Sequence, residues 1–302
     1  MNRLLLLISI FLSLNIQAQK VPNAEKKWAW LGFERPEGVN PIVRPDTTSR
    51  FYCPMHKRVA QWENSETFNP AATVINGGIA LLYRAEDNIA KGIGSRTSRI
   101  GYAFSEDGIH FQHHGAPVLY PGGDEWTDFD APGGCEDPRV CMTEDGLYVM
   151  TYTSWNHKLA RLSVATSRDL VHWTKHGPIF SDEHKSQLSK GYSKSGSIVT
   201  EIKNGRQVIA RINGKYMMYW GENFVNIATS DDLIHWTPML APDGKLLHVM
   251  DTRKGYFDSQ LVECGPPAIK TKKGIMLFYN GKNRGGDNGD RRFASGAYCA
   301  GQ

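Results

Sequence analysis

Ser105-Glu106-Asp107-Gly108-Ile109-His110-Phe111 returns as Ser167-Arg168-Asp169-Leu170-Val171-His172-Trp173, and again as Ser230-Asp231-Asp232-Leu233-Ile234-His235-Trp236. The leading serines stand 62 and 63 residues apart. Each copy follows a short alternating stretch: Ile100 to Phe104, Leu162 to Thr166, and Val225 to Thr229. A fixed period of this length marks one structural unit used repeatedly. The phrase itself reads as scaffold. Its Asp caps a turn, while Phe111, Trp173 and Trp236 pack between units.

Around the phrases lie apolar runs punctuated by Gly, Asn and Asp, the pattern of strands and turns. Ala72 to Ile75 and Ile79 to Arg84 flank Asn76-Gly77-Gly78 as a hairpin. Val140 to Met142 with Leu147 to Thr153, Ile198 to Ile202 with Gln207 to Ile212, and Ala268 to Lys270 with Ile275 to Asn280 give three more. With the strand before each phrase and an edge strand after it, a unit has four strands. That is the blade of a β-propeller. The spacing predicts an all-β chain, with at most a helical turn over Glu183 to Lys190. The fourth unit begins near Phe257 and has no phrase of its own. About four blades are therefore expected, in a ring that is C-terminally incomplete.

The bulk composition is that of a globular protein with a sizeable core: 40% hydrophobic, 22% charged and 11% aromatic over 302 residues. The 35 basic and 31 acidic residues leave a net charge of +4 with no basic run, which argues against a nucleic-acid partner. Asn2-Arg3, the apolar run Leu4 to Leu14 and the small residue Ala18 read as a signal peptide over 1–18. It is too short and wrongly flanked for a membrane span. The expectation is export, to the periplasm or beyond, of a propeller domain over 19–302. The five cysteines (Cys53, Cys135, Cys141, Cys264 and Cys299) are irregularly spaced. Cys135 with Cys141 is the one plausible pair, but buried free thiols are the expected state.

Residues outside the repeat carry the chemistry. Acidic clusters interrupt the units at Glu86-Asp87, Glu136-Asp137, Glu222 and Glu263, interleaved with Arg84, Arg99 and Arg139. Inner strands of a propeller converge on its axis, so these carboxylates are expected to share one funnel. Paired carboxylates are what glycoside hydrolysis requires, one to donate a proton and one to activate water or attack. No nucleophile elbow, phosphate-binding Gly loop or zinc-protease motif is present. Gly285 to Asp290 resembles a calcium-loop fragment, but its spacing reads as a plain loop. No metal and no cofactor are expected.

Phe68-Asn69-Pro70-Ala71, Tyr83-Arg84-Ala85-Glu86-Asp87, Cys135-Glu136-Asp137-Pro138-Arg139, Phe257-Asp258-Ser259 and Gly265-Pro266-Pro267 together resemble glycoside hydrolase family 130. The resemblance runs from about Asn40 to the C-terminus. It implies a five-bladed propeller acting on β-mannosides by hydrolysis or phosphorolysis, with a mannose-containing oligosaccharide as substrate. It further implies that Asp137 is the general acid, acting through a hydroxyl of the bound mannose with inversion. Asn69, Arg84, Asp87 and Asp258 would hold the sugar, with Arg99 and Arg139 nearby.

The resemblance also frames the nucleophile. Phosphorylases of the family bind phosphate with cations and a His in a Tyr-His-Gly segment. Here the segment is Tyr279-Asn280-Gly281, and Glu222 and Glu263 stand around it. Carboxylates repel a phosphate dianion and suit water activation, as in the exported β-1,2-mannosidases the chain resembles. An exo-acting, inverting β-mannosidase is therefore the expected function. The rivals are a phosphorylase drawing on Lys194 and Arg211, and a non-catalytic glycan-binding propeller.

Overall fold

The computed structural model describes residues 37–180 and 191–283, together with the backbone of 298–301. The expected leader over 1–18, the helical turn over Glu183 to Lys190 and the loop Gly285 to Asp290 lie outside these residues. The described elements are strands, apart from one four-residue helix, Thr127–Asp130. No helix among the described residues is long and apolar enough to cross a membrane.

Successive meanders form the blades. Glu66–Ile75, Gly78–Glu86, Ser98–Ser105 and Gln112–His113 make the first. Gly134–Met142, Tyr148–Trp155, Ala160–Ser167 and Thr174–Pro178 make the second. Ser197–Lys203, Lys215–Trp220, Phe224–Ser230 and Thr237–Pro238 make the third. In the fourth, Leu261–Cys264 pairs with Tyr279–Lys282 and that with Tyr298–Gly301, while Ala268–Thr271 and Gly274–Met276 form the adjoining hairpin. All four expected hairpins are present. Their Asn-Gly turns carry the two positive φ angles that suit a right-twisted two-residue connection: Asn76-Gly77 at 51° and 79°, and Asn204-Gly205 at 52° and 74°.

Strands of consecutive blades lie side by side. Val199, Thr200 and Glu201 run parallel to Ala268, Ile269 and Lys270. The first two blades are stitched by a single parallel bridge, Ser98 to Gly134. Gly134 has φ of 116°, and a Cβ there would stand 2.0 Å from the Ser98 carbonyl oxygen, so only glycine fits. Apolar faces meet between blades. Leu82, Ile100, Val140 and Met150 pack the first against the second, and Leu162, Val164, Ile198 and Met218 the second against the third. The third meets the fourth through Val225, Val262 and Cys264.

The repeated phrase is scaffold, as expected. In each copy the Asp accepts two backbone N–H bonds, at 2.8 Å from Ile109 and His110, 2.9 and 2.8 Å from Val171 and His172, and 2.9 and 2.8 Å from Ile234 and His235. The Ser Oγ accepts the N–H of Gly108, Leu170 and Leu233. Trp236 is buried between the second and third blades, and Trp173 and Phe111 pack on neighbouring clusters. The His has a role that the repeat alone did not reveal. Its Nδ1 meets the second Asp oxygen at 2.6 to 2.7 Å in all three copies. Cys53, Cys135, Cys141 and Cys264 are free and buried, with no Cys135–Cys141 bond.

Candidate active site

Two inner strands break their pleat at the same motif. The first blade shifts register between Phe68 and Ala71, and the second between Glu136 and Arg139. Within these bulges Asn69 has φ of 47° and Asp137 φ of 49°. Both precede proline, which favours extended backbone, and neither is glycine, so each conformation is held against local preference. Bulges and such strained residues re-aim side chains at functional sites. Ser195, ahead of the third inner strand, also has positive φ, 62°.

The re-aimed side chains meet. Asn69 Nδ2 donates to Asp137 Oδ1 at 2.8 Å, and Arg84 Nη1 reaches the same oxygen at 3.2 Å. Lys194 Nζ lies 3.5 Å from Oδ2. Asp137 is buried, and burial opposes its charge. Arg84, Lys194, the Asn69 amide and Arg139 outweigh that and hold the carboxyl well below its usual range. Arg84 also binds Glu86 at 2.6 Å and Glu136 at 2.9 Å, donates to Ser98 Oγ at 3.0 Å, and lies over the Phe68 ring. One guanidinium thus serves three carboxylates. Burial pushes Glu136 up to about 7, Asp137 and Glu86 push the same way, and Arg84 and Lys194 oppose them.

Glu222 and Glu263 face each other across an isolated antiparallel bridge, and the N–H of Asn223 donates to the Val262 carbonyl at 2.9 Å. Like charges directly opposite destabilise a strand pair, so this placement needs a reason and a counter-charge. Lys194 supplies the counter-charge, 3.7 Å from Glu263 and 4.0 Å from Glu222. Ser195 Oγ donates to Glu263 at 2.6 Å, and the Tyr192 hydroxyl donates to Glu222. Asn280, the middle residue of Tyr279-Asn280-Gly281, is the cross-strand partner of Glu263.

Asp137, Asn69, Arg84, Glu222 and Glu263 are therefore brought together, with Arg139 at their edge. Arg139 spends its donors on the carbonyls of Gly265 at 2.8 Å, Cys264 at 2.6 Å and Asp137 at 3.1 Å, and stands 3.7 Å from Glu263. Asp87 and Arg99 form their own buried pair at 2.8 Å, beside Cys53. Asp258 is fully buried, held by Arg253 through both oxygens and by the Tyr279 hydroxyl at 2.9 Å. Arg211, weighed as a cation for phosphate, is exposed and bonds Gly214 and Asp231 instead. Among the described residues no group of three or more His, Cys, Asp or Glu is arranged to hold a metal.

Lys194 was foreseen only as a possible phosphate ligand, and Tyr192 and Ser195 not at all. Their signal was the polar run Tyr192-Ser193-Lys194-Ser195-Gly196-Ser197, which enters the third inner strand where Asn69 and Asp137 stand in the first two.

Residues 35–291 match the glycoside hydrolase family 130 profile, described as beta-1,4-mannooligosaccharide phosphorylase. The chain belongs to glycoside hydrolase family 130. It is 34% identical over 234 residues to the 1,2-beta-oligomannan phosphorylase of Thermoanaerobacter sp. (strain X514), covering 75% of this chain and 68% of that one. A solved structure from Bacteroides thetaiotaomicron VPI-5482 is 60% identical with a TM-score of 0.88, over 91% of this chain and 79% of that one. Another comes from work reporting that the family "contains glycoside hydrolases that target beta-1,2 mannosidic linkages in Candida mannan". It is 54% identical with a TM-score of 0.87, covering 91% of this chain and 76% of that one. Membership of this carbohydrate-active family makes the chain a glycoside-processing enzyme on a β-propeller-type fold.

Proposed function

We propose that this chain is an exported, exo-acting, inverting β-mannosidase that hydrolyses β-1,2-linked mannosides. The observation that carries the reading is the Glu222–Glu263 bridge, two carboxylates side by side with Lys194 between them. With Asp137 they put three acidic groups around one ammonium. A phosphate dianion entering that space meets repulsion that a neutral water does not. Arg139 turns three of its donors to backbone carbonyls rather than towards an anion in that space.

In this reading Glu222 and Glu263 take a proton from the water that attacks the anomeric carbon. The glycosidic C–O bond breaks, and the leaving oxygen receives a proton originating at Asp137. An acid must hold that proton beforehand. Sugar bound against Asp137 would seal its carboxyl from solvent, which favours the protonated form. Asn69 and Arg84 fix the carboxyl in place.

Phosphorolysis is the second reading. Likeness to the Thermoanaerobacter phosphorylase and the half-buried Lys194 favour it. Incubating β-1,2-mannobiose with and without inorganic phosphate separates the two. Hydrolysis predicts free mannose at the same rate in both. Turnover that requires phosphate and yields mannose 1-phosphate would refute the hydrolase reading.

A further inference from the structure

Lys194 belongs to no single pair. Its ammonium has Asp137 Oδ2 at 3.5 Å, Glu263 Oε1 at 3.7 Å and Glu222 Oε2 at 4.0 Å, beyond the length of a strong hydrogen bond to any of them. The charged and titratable groups that face it come from every surrounding element. Asp137, with Glu136 and Arg139 behind it, comes from Gly134–Met142. Glu222 follows Lys215–Trp220, Glu263 lies in Leu261–Cys264, and Tyr192 belongs to the same loop as the lysine. Burial opposes charge on this amine, yet Asp137, Glu263 and Glu222 together hold it above the usual lysine range.

The contacts are unevenly spread over the glutamate oxygens. On Glu263, Lys194, the Ser195 hydroxyl and Arg139 all address Oε1. On Glu222, Lys194 and the Tyr192 hydroxyl both address Oε2. No donor among the described residues reaches Glu263 Oε2 or Glu222 Oε1. Without a cation between them, adjacent carboxylates share a proton, because both cannot ionise cheaply.

We propose that Lys194 is the positioning residue of the water-activating pair: with Tyr192 and Ser195 it ties down one oxygen of each glutamate, so that the two remaining oxygens hold and deprotonate one water. This rests on the hydrolase reading and assigns a division of labour within it.

The test is the pH dependence of kcat and KM for β-1,2-mannobiose in phosphate-free buffer, for the unmodified protein, Lys194→Met, Lys194→Arg and Tyr192→Phe. In Lys194→Met the acidic limb of kcat should move up by about one pH unit or more, so that the loss is about two- to fivefold greater near pH 6 than near pH 8. KM should change by less than about threefold. Lys194→Arg should keep the limb in place. Tyr192→Phe should move it the same way by less, and it carries the test should Lys194→Met fail to fold. A limb unmoved in both Lys194→Met and Tyr192→Phe, or a loss confined to KM, overturns the role given to Lys194 alone. Absence of phosphate-free turnover in the unmodified protein instead overturns the hydrolase reading, and this proposal with it.

Discussion

Glu136 and Asp137 are neighbours in sequence that the fold treats in opposite ways. Asp137 sits on a bulge and is reached by Asn69, Arg84 and Lys194, whereas Glu136 has Arg84 at 2.9 Å and the Ser98 hydroxyl at 3.3 Å. For Glu136 the folded protein favours the protonated form, from an ordinary 4.5 up to about 7. The stability tied to that form is present below 4.5 and is lost as pH rises through about 7. Glu136→Gln should flatten that part of the stability–pH curve in urea denaturation. Asp137→Asn should lower kcat by about 10²- to 10⁴-fold for a mannoside with a poor leaving group. The loss should be much smaller for an aryl mannoside whose leaving group needs no acid, and equal losses on both would deny Asp137 the acid role. The importance of Asp137 was legible in its motif. Lys194 was legible only as a charge, because its carboxylate partners lie on three different blades and no spacing in the chain records that.

At the scale of elements, the Ser-x-Asp-x-x-His turn is one device used three times. The Asp carboxyls are held below the ordinary range. At Asp107 and Asp169 hydrogen bonds from the His backbone and side chain do this, and at Asp232 similar bonds outweigh burial. Their stabilisation is therefore present above the ordinary carboxylate range near pH 4 and is lost as pH falls below it. Asp232→Ala should cost about 1 kcal/mol, read as a lower urea midpoint with unchanged slope. The turn was legible because its period and its capping Asp are both local. The bulges at Asn69-Pro70 and Asp137-Pro138 were not, since positive φ before proline runs against local preference and only tertiary contacts sustain it. The same limit applies to Asp87 and Arg99. Asp87 stands in a family motif and Arg99 does not, and the fold buries the two as an ion pair.

Across the whole molecule, Arg139 ties the second blade to the fourth through the carbonyls of Cys264 and Gly265. Arg139→Ala should cost about 3 kcal/mol, since it removes charge-assisted bonds and leaves half-buried carbonyls unmet. A thermal shift near zero would show that the fourth blade is held by its apolar contacts alone. Blade architecture was legible from period, turns and strand alternation, and the family from its motifs. Attack by water rather than phosphate follows from the charges gathered here from three blades. It is tested most directly by following β-1,2-mannobiose with the unmodified protein by proton NMR, in buffer containing inorganic phosphate. Inverting hydrolysis predicts an initial excess of α-mannose, from the non-reducing unit, over the α/β mixture of mannose released from the reducing end. Mannose 1-phosphate, or an initial excess of β-mannose, would refute it.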